Sequence, residues 1–466
     1  MSLGEAQEKF ESLIADAMMR DHVPGLSLAI VKDGKVIYAR GFGARRFKDN
    51  APATPNTLYG IGSCTKSFTA MAIMQLAEQG KLDVHDPVKK LLPEFKVGKN
   101  ENPIQIHHLL THSSGIPDLG GADVEIIRHL GIDEKWIPFS SFEDLVLHVN
   151  GAKGEVAAEP GKRFFYLNEG YELLGMIIER ISQTTYENYV KDRILKPLRM
   201  ERSTFLKDDY EKDPDVMTPY FMDKKDGSVV ATPTVLPIDM LSYADGGLMS
   251  SVMELSNYVS ANMNHGIFEN EKLLDSAFFE EMHKPHVQTN FPSFFGRMWY
   301  GYGWHVEDDF FGHKLVGHSG STGVSSANIT FMQDMNIGVV YACNVGEYGS
   351  LALIPYVILA SLIGKDPLKE IPVFEFEKKM SMLTGEYAGY KGIMKVSVVR
   401  KGGLLFIEVK EKLGEESIPL IPESDKLETL RFYSPMAGTR TPVEFVVDDS
   451  GKIDLYVERY RFHKIK

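Results

Sequence analysis

Strand-like segments at the two ends of a long helical stretch most constrain the fold of this 466-residue chain. Residues 26–31 and 35–39 are rich in residues that favour strands, and the Asp-Gly pair between them is a tight hairpin signal. Strand patterns return far along the chain, at 329–331 and 337–343. Such distant segments bury their apolar faces in a single sheet if the helices between them pack on it. The sequence therefore predicts an α/β domain with an antiparallel sheet flanked by helices.

Helical patterns fill the middle of the chain. The first runs from Ser63 to about Gln79, and Gly80 ends it. The most apolar stretch, residues 351–364, is shorter than the roughly 20 residues that a membrane span needs, so we expect a buried helix there. Further helices are predicted over 171–181, 189–195 and 251–264.

The sequence changes character after residue 366, which predicts a second domain. Residues 367–381 contain two prolines and a dense run of charges, a pattern typical of a linker. We therefore expect a first domain over residues 1–366, a linker over 367–381 and a small antiparallel β-barrel or sandwich over 382–466. The strand-like runs of this last region are 394–399, 404–409, 443–447 and 453–457.

Composition limits the partners of the chain. There are 51 Lys and Arg against 64 Asp and Glu, so the formal net charge is −13, which argues against a basic surface for nucleic acid or an anionic membrane. The two cysteines, Cys64 and Cys343, are in no metal-ligand spacing. The first twenty residues predict an amphipathic helix and no secretory segment, which favours a cytoplasmic location. The scarcity of glutamine and cysteine favours a thermophilic source.

A Ser-x-x-Lys motif begins the first long helix. Residues i and i+3 share a helix face, so Lys66 can reach the hydroxyl of Ser63. A serine becomes a nucleophile when a neighbouring base takes its proton, and a lysine can be that base if its surroundings lower its pKa. A helix-capping serine followed by a solvated lysine is the alternative, and the motif alone leaves both interpretations open.

A second motif, Tyr166-Leu167-Asn168, has residue types that suit proton transfer and substrate binding. A tyrosine can move protons when nearby cations lower its pKa, and an asparagine amide can hold a substrate carbonyl. A buried tyrosine beside a helix-capping asparagine is the alternative interpretation.

A third motif, Gly317-His318-Ser319-Gly320-Ser321, ends a short strand with small residues that would let a substrate backbone approach a sheet. The histidine can donate a hydrogen bond or a proton. The backbone N–H of the last serine can form an oxyanion hole with the backbone N–H of Ser63. A glycine-rich turn with a structural histidine is the alternative.

Taken together and in this order, the three motifs resemble the serine β-lactamase and penicillin-binding protein superfamily. The similarity is to the branch with class C β-lactamases, D-Ala-D-Ala carboxypeptidases, D-aminopeptidases and related esterases. It extends over about residues 5–364, and its further segments are 57–62 (TLYGIG), 106–115 (IHHLLTHSSG), 171–179, 246–251 (GGLMSS) and 300–304 (YGYGW).

The resemblance implies a covalent acyl-enzyme mechanism without a metal or an organic cofactor. By position in the motifs, Ser63 would be the nucleophile, Lys66 its base and Tyr166 the relay of protons to and from the leaving group. Asn168 would orient the acyl amide. His318 stands where many relatives have the lysine of Lys-Thr-Gly, and a mostly neutral imidazole is a weaker anchor for a substrate carboxylate, which disfavours a β-lactamase in particular.

Other candidate residues are weaker. His107, His108 and His112 have no carboxylate at ligand spacing, so the sequence does not predict a zinc site. Cys64 is expected to be a packed core residue. One aromatic cluster could equally line an apolar substrate pocket, form core or make an oligomer contact: Phe291, Phe294, Phe295, Trp299, Tyr300, Phe310 and Phe311.

The C-terminal region, from Thr384 onward, more loosely resembles the lipocalin-like barrels appended to some peptidases and esterases of this branch. Archaeal peptidases of the family assemble into closed, self-compartmentalising particles, so we include a homo-oligomer as a hypothesis.

Cell-wall carboxypeptidases and defensive β-lactamases work outside the cytoplasm, whereas the first twenty residues predict no secretory segment. We therefore expect a serine peptidase that acts on small peptides. An esterase on short acyl esters is the first alternative, and a β-lactamase or D-Ala-D-Ala carboxypeptidase is the second. An inactive binding module is a third, from a different class, and the presence of all three motifs argues against it.

Overall fold

The structure is a computed structural model that describes residues 3–132, 139–225, 228–291, 293–346, 349–411, 414–424, 427, 429–435 and 438–466. The chain divides into two compact units, Met1–Ile363 and Gly364–Lys466. Each unit contains a hydrophobic core of its own.

The helices of the first unit include those predicted over 63–79, 171–181, 251–264 and 351–364. The predicted 189–195 segment is instead the end of a short helix, Tyr186–Val190, followed by a π-helical turn, Lys191–Leu195. A 3₁₀ turn, Gly62–Cys64, leads into the first long helix of the middle region. The helices are α1 (Leu3–Arg20), α2 (Thr65–Glu78), α3 (Val88–Leu91), α4 (Ile106–Leu110), α5 (Gly121–His129), α6 (Phe142–Gly151), α7 (Asn168–Ser182), α8 (Tyr186–Val190), α9 (Lys207–Lys212), α10 (Val252–Met263), α11 (Ser276–Met282) and α12 (Ile354–Leu362).

The strands of the first unit form one large sheet and several two-stranded ribbons. They are β1 (Gly25–Lys32), β2 (Lys35–Arg46), β3 (Ala51–Pro52), β4 (Tyr59–Gly60), β5 (Tyr220–Lys225), β6 (Ser228–Pro233), β7 (Met249–Ser250), β8 (Ile267–Phe268), β9 (Glu271–Lys272), β10 (Val287–Gln288), β11 (Met298–Tyr300), β12 (His305–Phe310), β13 (His313–Ser321), β14 (Ser326–Met332) and β15 (Ile337–Cys343). The large sheet has the order β10-β11-β12-β13-β14-β15-β1-β2-β3.

The two ends of the first unit meet in the middle of this sheet. Strand β1 pairs antiparallel with β15, with Leu26 opposite Cys343, and its other edge pairs with β2. Successive residues of β1 and β15 point to opposite faces, and both sets are buried, so helices cover both faces of the sheet. The antiparallel sheet closed by distant segments, flanked by helices, is confirmed.

Helix α2 lies in the interior of the first unit. It is buried from Thr65 to Leu76, on all sides rather than along one stripe. A helix held on every side has little freedom to shift, so the turn that precedes it is fixed relative to the sheet.

The Gly62–Cys64 turn and the end of β13 touch through their backbones. A Cβ atom on Gly320 would lie 2.1 Å from the Ile61 carbonyl oxygen and 2.6 Å from the Ser63 nitrogen. A Cβ on Gly62 would lie 2.5 Å from the Ser321 nitrogen, and Gly62 has a φ of +53°. Only glycine allows this approach, because the atoms that a side chain would meet belong to the backbone.

We predict that Gly320→Ala separates these two segments and lowers stability by about 1–3 kcal/mol, the usual cost of forcing a methyl group into a packed region. Thermal unfolding measures this loss. Gly349→Ala is the matched control, because a Cβ there meets nothing within 4 Å. Equal melting temperatures for the two variants would contradict the prediction.

The second unit is a closed antiparallel barrel, which confirms the all-β C-terminal domain. Its strands, in barrel order, are β16 (Gly385–Ala388), β17 (Lys395–Lys401), β18 (Leu404–Glu411), β19 (Gly414–Pro422), β20 (Arg431–Ser434), β21 (Thr441–Val447), β22 (Ile453–Val457) and β23 (Tyr460–Lys464). Pairing between β16 and β23 closes the barrel.

The segment 367–381 is not an extended linker. It folds into α13 (Pro367–Glu370) and most of α14 (Pro372–Leu383), each of which begins with a proline at a position where a helix tolerates it. Met380 and Leu383 of α14 belong to the hydrophobic core of the barrel unit. The charge run that suggested a linker is the exposed side of this helix.

Within the described ranges, no helix is both long enough and apolar enough to cross a membrane. The apolar stretch near residue 351 is instead a 3₁₀ turn followed by α12, most of which is buried, as expected.

Candidate active site

A cleft of about 330 Å³ lies where α2, α7 and β13 come together. Residues from all three sequence motifs line it, and Lys66 lies buried behind Ser63. The structure thus brings together every predicted site residue: Ser63, Lys66, Tyr166, Asn168, His318, Ser319, Gly320 and Ser321.

The Ser-x-x-Lys spacing brings the Lys66 amine to the Ser63 hydroxyl, as expected. Ser63 lies in the 3₁₀ turn before α2, and Lys66 lies in the first turn of that helix. Lys66 Nζ is 3.1 Å from Ser63 Oγ. The side chain of Ser63 does not cap α2, and Lys66 is 0% exposed, so the alternative of a capping serine and a solvated lysine does not describe this pair.

Lys66 is a buried, charged group with a full set of acceptors. Its Nζ donates to Ser63 Oγ, to Asn168 Oδ1 at 2.7 Å and to the backbone oxygen of Asp245 at 2.8 Å, which uses the three hydrogens of an ammonium group. Asp245 Oδ2 is 3.6 Å from the same nitrogen. Burial alone lowers the pKa of Lys66, but Tyr166 and Asp245 raise it, and the net shift is upward.

His112, to which the sequence analysis assigned no catalytic role, packs against Tyr166. The rings of His112 and Tyr166 lie 4.1 Å apart, and His112 Nδ1 accepts a 3.0 Å hydrogen bond from the Leu167 backbone N–H. Burial raises the pKa of Tyr166, although Lys66 and a hydrogen bond with Ser63 act in the opposite direction. The hydroxyls of Tyr166 and Ser63 and the Lys66 amine thus form one group among which protons can move.

His318 reaches the cleft, but both of its ring nitrogens have partners within the protein. Nδ1 lies 2.5 Å from the Ser319 carbonyl oxygen, which can only accept, so this nitrogen carries the proton. Nε2 then accepts from the Tyr300 hydroxyl at 2.9 Å. Burial, together with His305 and Lys66, holds the pKa of His318 well below 6.5. The histidine is therefore neutral, and it offers no cation to a substrate carboxylate.

Four acidic residues of this part of the first unit are buried. Burial raises the pKa of Glu125 to about 8, with a contribution from Asp245, and it raises the pKa of Glu169 to about 7. It also raises the pKa of Glu172 well above 4.5. Burial raises the pKa of Asp245 to about 6, while Lys66 opposes the shift. Of these four acids, Asp245 and Glu172 raise the pKa of Lys66.

Sequence reasoning did not identify Asp245 or the acidic residues Asp123 and Glu125 as part of the site. Asp245 stands directly before the Gly246-Gly247 pair, which brings a backbone carbonyl and a carboxylate to the lysine. A single acidic residue before a glycine pair is too common to signal such a role. The acidic residues of α5 approach the serine only through the tertiary fold.

The aromatic cluster divides between the cleft and the core. Phe291 lines the cleft and is 52% exposed, whereas Tyr300 is buried and hydrogen-bonded to His318. Phe295 and Phe310 pack against each other in the core, with ring centroids 4.8 Å apart. The cluster therefore contributes both a cleft wall and core packing.

The histidines near residue 107 have structural partners. His107 Nδ1 is hydrogen-bonded to the Tyr302 hydroxyl at 2.7 Å, and His108 Nδ1 accepts from the Gln105 backbone N–H at 3.0 Å. In the described part of the chain, no three His, Cys, Asp or Glu side chains are grouped as a metal site requires. Cys64 is fully buried, as expected of a core residue.

Comparison with known proteins identifies the family of the first unit. The beta-lactamase family model matches residues 10–361. The chain belongs to the beta-lactamase family. This is a family of serine hydrolases related to the penicillin-binding proteins. A second model, the Pab87 octamerisation domain, matches residues 367–463 and supports a homo-oligomer.

Individual relatives agree with this assignment. An octameric penicillin-binding protein homologue from Pyrococcus abyssi is 40% identical, with a TM-score of 0.89 and complete coverage of both chains. A class C β-lactamase shares the fold, with 21% identity and a TM-score of 0.63. The match covers 78% of this chain and 98% of the β-lactamase. Protein flp of Staphylococcus aureus strain MW2 is 29% identical over 353 residues, which are 74% of this chain and 64% of flp. The chain thus spans less than two thirds of that relative.

The buried acids predict how stability depends on pH. The folded-state pKa values of Glu125 and Glu169 lie above the usual 4.5, so at neutral pH the folded protein retains protons that the unfolded chain has lost. Stability should therefore fall as pH rises above about 4.5, by up to about 1.4 kcal/mol per pH unit for each carboxyl that stays protonated in the folded state. This contribution should level off above about pH 7 for Glu169 and above about pH 8 for Glu125.

Thermal unfolding of the wild type and of Glu125→Gln at several pH values measures this effect. The loss of stability with rising pH should be smaller in Glu125→Gln, which has no proton to lose at this position. Glu143→Gln, at an exposed position of α6, should behave as the wild type. An identical pH dependence in Glu125→Gln and the wild type would contradict the assignment of a raised pKa to Glu125.

Proposed function

We propose that this protein is a serine peptidase that forms an acyl-enzyme on Ser63 and hydrolyses small peptides. The observation that carries the proposal is the contact between a fully buried Lys66 and Ser63 Oγ at the edge of a cleft. Burying a charged lysine is costly unless it is paired and hydrogen-bonded, and a purely structural role does not require its amine to point at a serine hydroxyl.

In the proposed reaction, Ser63 Oγ attacks the substrate carbonyl carbon and its proton passes to the Lys66–Tyr166 pair. Both groups of the pair have raised pKa values, so the pair must first release one proton to act as a base. Tyr166 then returns a proton to the leaving nitrogen. Water attacks the acyl-enzyme in the second half of the cycle and restores the Ser63 hydroxyl.

The carbonyl oxygen becomes negative in the tetrahedral intermediate, and the backbone N–H groups of Ser63 and Ser321 are the proposed donors to it. The turn at Gly62 and the end of β13 at Gly320 approach each other closely, so these two nitrogens lie near one another. Asn168 has two proposed roles. Its Oδ1 accepts a hydrogen bond from Lys66, and its Nδ2, which lies 3.5 Å from Asp118, is the proposed donor that orients the acyl amide in the cleft.

The neutral His318 favours a peptidase over a β-lactamase or a D-Ala-D-Ala carboxypeptidase. Substrates of those two classes carry a carboxylate that needs a cation, and His318 provides none. An esterase is the remaining alternative, and the exposed Phe291 at the cleft wall favours it for apolar acyl groups.

We predict that Ser63→Ala loses peptide hydrolysis by roughly 10³-fold or more, as expected for removal of a nucleophile. Purified wild type and Ser63→Ala would be incubated with a mixed library of short peptides of L- and D-residues, followed by mass spectrometry. Cleavage should occur in the wild type alone. A fluorophosphonate should phosphonylate Ser63 of the wild-type protein, and the protein should gain the mass of the reagent less that of the HF released.

Unchanged melting temperatures of Ser63→Ala would exclude misfolding as the cause. Labelling of Ser63 without peptide cleavage would reject the peptidase and leave the esterase, which paired ester and amide substrates would test. Peptide cleavage that persists in Ser63→Ala would contradict the role of this serine.

We further propose that the chain forms an octamer through its C-terminal unit. The match of residues 367–463 to an octamerisation domain and the similarity to an octameric homologue over the whole chain support this state. Enclosure of the active sites in such a particle would restrict substrates to short or unfolded peptides.

Size-exclusion chromatography with light scattering should give a particle of eight times the 52.3-kDa chain mass. A monomer or dimer at micromolar concentration would contradict the octamer. This outcome is independent of the peptidase proposal, because it does not involve the residues of the cleft.

A further inference from the structure

His112 binds the backbone on both sides of Tyr166. The His112 carbonyl oxygen accepts a 2.8 Å hydrogen bond from the Phe165 N–H, and His112 Nδ1 accepts one of 3.0 Å from the Leu167 N–H. These two donors belong to the residues directly before and directly after Tyr166. One histidine therefore fixes the backbone at both neighbours of the tyrosine.

The imidazole ring of His112 also packs on the phenol ring of Tyr166. Their centroids lie 4.1 Å apart, with the two planes inclined at 32°. The centroid of the His112 ring is 4.8 Å from that of Tyr300 and 5.0 Å from that of Tyr171, and His112 is 1% exposed. A buried ring enclosed in this way has little freedom to turn, so it restricts the rotation of the Tyr166 side chain.

The conformation of His112 is unusual, and its one polar ring contact is with the Tyr166 segment. Its backbone φ is +55°, a left-handed value that is uncommon for residues other than glycine and persists where the surrounding structure enforces it. A backbone N–H can only donate, so Nδ1 is the acceptor and Nε2 carries the ring proton. Nε2 has no hydrogen-bond partner among the described residues.

The imidazole must be neutral for this contact, because a protonated Nδ1 cannot accept a hydrogen bond. Burial, together with the positive charge of Lys66, holds the pKa of His112 well below 6.5. Lys66 Nζ itself lies 5.0 Å from the centre of the Tyr166 ring. At neutral pH the ring is therefore an uncharged acceptor beside the buried ammonium group.

We propose that His112 is a positioning residue, which holds the Tyr166 hydroxyl in place for proton transfer to the leaving group. This inference rests on the proposed reaction of Ser63 for its kinetic consequence. Tyr166 lines the cleft, whereas His112 is not among the described lining residues, so the histidine acts through the tyrosine. Leu167 stands between Tyr166 and Asn168, so the same hydrogen bond also fixes the backbone beside the asparagine.

Two substitutions separate the contacts of this histidine. His112→Asn retains an acceptor and tolerates a left-handed backbone, but it removes the ring. His112→Phe retains a ring and removes the acceptor. Hydrolysis of a peptide that the wild type cleaves should fall by about 10- to 100-fold in each variant, through kcat rather than KM, because a misplaced proton donor slows the chemistry without weakening binding.

Comparison with p-nitrophenyl acetate distinguishes this role from a general loss of structure. Its p-nitrophenolate leaves without a proton, whereas the amine of a peptide must be protonated as it leaves. The ratio of peptide to ester kcat should therefore fall in both variants. His108→Asn is the matched control and should keep the wild-type ratio. His108 Nδ1 also accepts from a backbone N–H at 3.0 Å, but the described ring contact of His108 is with His107 rather than Tyr166.

A double-mutant cycle tests whether His112 acts through the Tyr166 hydroxyl. His112→Phe added to Tyr166→Phe should cause little further loss of peptide hydrolysis, because the hydroxyl that His112 positions is already absent. Equal fold losses from His112→Phe with and without this hydroxyl would overturn the proposal. An unchanged ratio of peptide to ester kcat in both His112 variants would overturn it as well.

Crystal structures of the full-length wild type and the two His112 variants separate this proposal from that of catalysis by Ser63. The Tyr166 hydroxyl should move by about 1 Å or more relative to Ser63, a displacement large enough to slow catalysis. A hydroxyl that keeps its place in both variants would refute the positioning role even if Ser63 proves catalytic. A displaced hydroxyl would support it even if no peptide is cleaved.

Discussion

The buried ammonium group of Lys66 is the interaction on which the rest of the site depends. A lysine removed from water needs an acceptor for each of its three hydrogens, and here those acceptors come from three segments that are distant in sequence. The turn before α2 supplies Ser63, the start of α7 supplies Asn168, and the loop before β7 supplies Asp245. Loss of any one of these acceptors would leave a buried N–H of the lysine unpaired, so Lys66 fixes the three segments relative to one another.

The surroundings of this lysine explain why its proton is not easily lost. Burial favours a neutral amine, but the carboxylate of Asp245 at 3.6 Å and the acids behind it favour the charged form, and the net pKa shift is upward. Tyr166 is also kept protonated by its burial. The chemistry of Ser63 thus depends on the total proton count of the Lys66–Tyr166 pair rather than on one residue acting alone.

Local patterns in the sequence predicted the sheet and the long helices, because hairpin turns and helical periodicity are local properties. The eight candidate site residues were predicted from three motifs taken together with their resemblance to a known superfamily, since each motif alone left two interpretations open. The barrel was predicted from four strand-like runs, whereas β16, β20 and β23 are only four or five residues long, β19 has no regular alternation, and all four form through pairing with their neighbours. Helix α14 was mistaken for a linker because its charges mark the exposed side of a short helix. The roles of Asp245, Tyr300 and Glu125 arise from tertiary proximity, which no local pattern encodes.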